Sequence, residues 1–126
     1  MTDEIAGRIR WIEHRGKRIL YYDWSGVHDY GLAVDLVRAS AAPVRREPPG
    51  SVLVLTNVEG SRFNKRVLDE ILSLMSGNKP YVKASAIAGM NGIMRAAYGA
   101  MGKLTGRRLH ATATLEEARD WLAAQA

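Results

Sequence analysis

The chain contains no cysteine, so neither a disulfide framework nor a thiolate metal cage can hold it together. That absence fits a reducing compartment. It also lacks long apolar runs: nothing approaches the roughly 18 residues that a membrane helix requires. The opening MTDEIAGRIR places acids early and has no apolar middle of the signal-peptide kind. A cytoplasmic protein without membrane insertion is therefore expected, with its whole length as mature chain. Histidines are few. His14, His28 and His110 stand apart with no ligand-like spacing, so no metal and no cofactor is expected. Internal repeats and low-complexity segments are missing too. The Pro48-Pro49-Gly50 cluster is too short to divide domains and reads as a turn feeding a strand.

What is present suits one domain spanning residues 1–126, a length that buries roughly two-thirds of the surface an unfolded chain exposes. The net charge of +5 raises the question of nucleic acid. The basic residues, however, are scattered in short groups at Arg15/Lys17/Arg18, Arg45/Arg46, Arg62/Lys65/Arg66 and Arg107/Arg108. They are not interleaved with aromatics as a stacking platform would be. A solvated basic surface, with no nucleic-acid partner, is the reading that follows.

Hydrophobic periodicity sets out the elements. Ile9 to His14 and Lys17 to Asp23 read as two strands joined at Arg15-Gly16, a hairpin at or near a sheet edge. A helix begins near Asp29, with Asp29 or His28 as cap, and Pro43 should end or kink it. Ser51 to Thr56 (SVLVLT) is continuously apolar, as a central strand buried on both faces must be. A helix is expected over Arg62 to Ser76, capped by Ser61 and closed by a left-handed Gly77. Tyr81 to Ala88 is a strand, Asn91 to Leu104 a helix stopped by Gly106, and Arg107 to Thr112 a short strand. Thr114 and Glu117 open the last helix as a capping box. The order β-β-α-β-α-β-α-β-α predicts an α/β domain with a mostly parallel sheet, right-handed crossovers and helices covering the sheet.

No catalytic constellation emerges. There is no G-x-S-x-G elbow, P-loop or dinucleotide fingerprint. The carboxylate pairs Asp69/Glu70 and Glu116/Glu117 are helix neighbours whose side chains diverge. Asp23 suits a turn. Two segments stand out instead. Thr56 to Lys65 leaves the central strand's carboxyl end for a helix N-terminus, where open α/β sheets place their sites and backbone N–H groups attract anions. Ser61 is the candidate anion or phosphorylation site there, and Asn57, Arg62, Asn64 and Lys65 are candidate partner-binding residues. The helix carrying Met90, Ile93, Met94, Ala97, Tyr98, Met101 and Leu104 follows i, i+3, i+4 spacing. That stripe either covers the sheet or, through Met90, Met94, Tyr98 and Met101, walls a pocket for an apolar ligand.

The ordered set of SVLVLTNVEGSRFN after a proline-glycine turn, NKPYVKASAIAGMNG, and the closing TGRRLHATATLEEARDWL resembles the SpoIIAA-like branch of the STAS superfamily. That fold is shared with anti-sigma-factor antagonists and related to lipid-binding CRAL-TRIO domains. The resemblance covers nearly the whole chain. In antagonists of that type a serine at the helix after the central strand is phosphorylated by a partner kinase, and Ser61 holds the nearest comparable place. Asn57 stands where an acid is usual, and the Asp-Ser pair before the helix is missing. The resemblance implies a stand-alone, uncharacterised, non-enzymatic regulatory or protein-interaction domain, with phospho-regulation at Ser61 as an option that these two departures weigh against. A carrier or sensor of a small apolar ligand or lipid is the alternative. A homodimer through the edge strand of the hairpin is a further expectation.

Overall fold

The computed structural model describes residues 3–106 and 109–125. A short helix α1 (Asp3–Arg8) leads into a hairpin of β1 (Ile9–His14) and β2 (Lys17–Asp23). Helices α2 (Tyr30–Ala39) and α3 (Ala41–Arg45) follow, then β3 (Val52–Asn57) and α4 (Lys65–Asn78). The chain closes with β4 (Val82–Ala88), α5 (Gly92–Thr105), β5 (Leu109–Thr112) and α6 (Leu115–Ala123). The five strands form one sheet in the order β1-β2-β3-β4-β5. Only the β1–β2 pair is antiparallel; β2 to β5 run parallel. The α/β class, the hairpin and the parallel sheet are as the sequence predicts.

Strands that follow one another in sequence are also neighbours in the sheet. Crossovers of one hand between such neighbours must put their helices on one face. Accordingly Leu20, Tyr22, Val52, Val54 and Ile87 pack against Val34, Val37, Val67, Ile71 and Tyr98 of α2, α4 and α5. The opposite face, with Ile19, Tyr21, Leu53, Leu55, Ala86 and Ala88, is covered by Ala118 and Leu122 of α6. Every residue of β3 is buried, which is why its sequence runs apolar without alternation.

Four expectations need correction. Among the described residues a helix, α1, precedes the hairpin; its single turn and a half is too short to display a helical period, and buried Ile5 anchors it. The helix after Asp29 is interrupted as Pro43 leads one to expect, because its ring would meet the carbonyl of Ala39, where α2 stops, but the chain then continues as a separate short helix, α3. Asp29 is the cap of α2, its side chain accepting from Leu32 N–H. Gly77 is not a left-handed cap: it lies inside α4, which runs to Asn78 and ends before Pro80. The fourth concerns Ser61 and is taken up below. Arg107 and Arg108, expected to open the last strand, lie outside the described residues; β5 starts at Leu109.

Candidate functional site

Three loops meet at the carboxyl ends of β2, β3 and β4. Trp24 N–H donates to the Asn57 carbonyl (2.9 Å), Gly26 N–H to Glu59 (2.9 Å), and Arg62 N–H to Val27 (3.0 Å). Val58 N–H reaches the Ala88 carbonyl at 3.0 Å, joining the third loop. Gly89 allows the closest approach. Its φ is +83°, and a Cβ there would lie 2.9 Å from Glu59 Cα, so only glycine fits.

Ser61 is the side chain that locks two of these loops. It is 6% exposed; its hydroxyl donates to the Trp24 carbonyl and accepts from Val27 N–H at 3.0 Å. It does not cap α4. Asn64 does, accepting from Val67 N–H at 3.0 Å, and the helix starts at Lys65 rather than Arg62. Both Ser and Asn are favoured caps, and the one without a tertiary task took the position. In this conformation the Ser61 hydroxyl faces protein on both sides. A phosphoryl group there would replace the hydroxyl hydrogen, abolish the bond to the Trp24 carbonyl and have to fit into a buried site. Asn57 is buried as well. Its Oδ1 accepts from Glu59 N–H (3.1 Å) and its Nδ2 donates to the Tyr21 hydroxyl (3.4 Å), so it shapes the loop from inside.

The remaining candidates do reach the surface. Arg62 and Lys65 are exposed and Asn64 half-buried; of the three, Arg62 lines a groove of about 180 Å³ between the N-terminal turns of α4 and α5, and Asn64 and Lys65 are not among its lining residues. Phe63 and Leu68 form one wall, Met94 and Ala97 the other. At its edge Ile93 is 83% exposed, an uncommon place for a large β-branched side chain. No acid occupies the first turn of either α4 or α5, whereas α6 carries Glu116 and Glu117 there. The positive ends of two helix dipoles thus stand beside Arg62, Lys65 and Arg66 without local neutralisation in those turns. Lys65 pairs along its helix with Asp69 at 2.7 Å, an exposed contact that competes weakly with an incoming anion.

The methionine-bearing helix divides its stripe. Met94, Tyr98, Met101 and Thr105 face inward, while Ile93 and Leu104 point out. Of the four proposed wall residues, Met90 and Tyr98 line a cleft between α5 and β5, Met94 lines the groove just described, and Met101 is core. The four do not share one pocket. Ile93 and Leu104 depart from the stripe that the spacing predicts; Ile93 lies about 100° around the helix from Met94.

Among the described residues no three His, Asp or Glu side chains converge as a metal site would need. No helix there is long and apolar enough to cross a membrane.

No protein-family model matches the sequence, and no curated protein resembles it significantly. Among solved structures, an uncharacterised DUF3478-family protein with a SpoIIAA-like fold from Shewanella loihica aligns with 90% of this chain and 91% of its own. The TM-score is 0.64 and the sequence identity 17%. The likeness is one of backbone architecture, reached with largely different side chains. The chain therefore has a SpoIIAA-like fold.

Proposed function

We propose that this domain is a non-enzymatic interaction module that docks a protein partner at the groove between α4 and α5. The observation that carries the reading is Ile93, 83% exposed on a groove that Arg62 also lines, with Lys65 exposed in the first turn of α4. An apolar anchor within a basic rim fits a partner segment that presents an apolar side chain flanked by Asp or Glu. The apolar contact supplies affinity and the charges supply steering and register. Two acid-free helix N-termini favour the same occupant. Rigid loops beneath, tied through Ser61 and Gly89, hold the groove in one shape and so reduce the ordering cost of binding.

The reading predicts that a partner isolated with the wild-type protein, once purified, binds Ile93→Asp at least about tenfold more weakly. Arg62→Glu with Lys65→Glu should cost about as much and flatten the salt dependence. Both substitutions lie on exposed positions, so thermal unfolding should be nearly unchanged. Full affinity in both variants would overturn the assignment of the groove.

A further inference from the structure

Tyr98, in the middle of α5, is 3% exposed, and its hydroxyl has no hydrogen-bond partner among the described residues. Buried hydroxyls are rarely left in this way, because they forfeit water without replacing it. Burial raises the pKa of the phenol, so the group stays neutral and able to donate. Tyr98 stands between two spaces. On the inner side, toward Tyr22, Trp24 and Ser85, lies a cavity of about 30 Å³. On the outer side a cleft of about 450 Å³ opens between α5 and β5. Leu109 also borders both.

The cleft has two chemical zones. Met90, Tyr98, Leu109 and Ala111 supply apolar wall, and Gly99 and Gly102 leave the helix backbone bare there. Arg95 and Lys103 supply positive charge, and none of the described lining residues is acidic. The volume lies within the range of small-molecule sites. It is separate from the protein-docking groove, which uses Phe63, Leu68, Met94 and Ala97.

We infer that the α5–β5 cleft binds a small apolar monocarboxylate, its anion on Arg95 and Lys103 and its apolar body against Met90, Leu109 and Ala111, with a hydroxyl or carbonyl on the buried part meeting the Tyr98 hydroxyl. The cations choose the charge, the apolar wall chooses the body, and the orphan hydroxyl asks for a polar atom at depth. This inference does not rest on the protein-docking reading.

Isothermal titration of the full chain with 10-hydroxydecanoate and with decanoate, both below micelle-forming concentrations, tests it. Saturable one-to-one binding is expected, with the hydroxylated acid favoured by about fivefold, the value of one satisfied buried hydrogen bond. Tyr98→Phe removes a hydroxyl that has no partner among the described residues, so the fold should persist; the preference for the hydroxylated acid should vanish. Arg95→Glu with Lys103→Glu, both at exposed positions, should weaken either acid by about tenfold or more, with circular dichroism unchanged. Absence of saturable binding to the wild-type protein would overturn the inference. So would binding that ignores the charge reversal, or a preference that survives Tyr98→Phe.

Discussion

The hydroxyl of Ser61 is held between two loops from distant parts of the chain, and it uses both its donor and its acceptor capacity there. Ser61→Ala should leave the Val27 N–H and the Trp24 carbonyl buried without that partner, a cost of about 1–3 kcal/mol. Ser61→Asp should cost more, because it adds charge where little water reaches and removes the donor. Urea unfolding of the two variants checks the order; an aspartate variant as stable as wild type would show that Ser61 is not enclosed. The sequence Ser61-Arg62-Phe63-Asn64 offers two residues suited to capping, three positions apart. Local propensity cannot choose between them. The choice is made by Trp24 and Val27, on a loop whose proximity is a property of the folded sheet. Asn57 was misjudged for the same reason: its polar type suggested a surface role, and its position at the end of a fully buried strand gave it an internal one.

At the level of elements, legibility follows the strength of the local pattern. β3 was readable because burial on both faces demands an unbroken apolar run. α6 was readable from Thr114 and Glu117, and the Thr114 hydroxyl does accept from Glu117 N–H at 3.2 Å. α1 was missed because six residues hold too few turns to show a period. The pairing of the hairpin with α6 was invisible as well, being wholly tertiary. His14 Nε2 lies 2.7 Å from Asp120 Oδ1, and Arg15 Nη2 lies 3.4 Å from the same oxygen. Chiefly the His14 hydrogen bond, and then the Arg15 charge, hold the Asp120 carboxyl below the usual carboxylate range. A carboxylate depressed in the folded state stabilises it above the unfolded pKa of about 4. That contribution is lost as pH falls through the lower folded value. His14→Ala removes the largest cause of the depression. Its stability deficit against wild type should therefore be present at pH 6 and shrink as the solution is taken to about pH 3. Urea midpoints across that interval measure it, and a deficit constant with pH would show that the pair does not couple to folding.

For the molecule as a whole, topology was the most accessible property. Alternating strands and helices allow few arrangements once crossovers keep one hand, and the observed order β1-β2-β3-β4-β5 is the simplest of them. What could not be read was which side of α5 faces out. Periodicity groups Ile93 with Met94 and Tyr98, and only the placement of α5 against α4 decides that Ile93 borders a groove. The account assigns the working surface to the carboxyl end of the sheet, where a tied loop presents Arg62 and the first turns of α4 and α5 present Lys65 and Ile93, and leaves the α6 face structural. Its most direct test is a photo-crosslinking residue placed at position 93 and, separately, at Glu116 on α6, with capture in the native cell. The account predicts one reproducible protein adduct at position 93, absent from Glu116 and lost when Arg62→Glu and Lys65→Glu are added. Equal adducts at the two positions, or an adduct indifferent to the charge reversal, would contradict it.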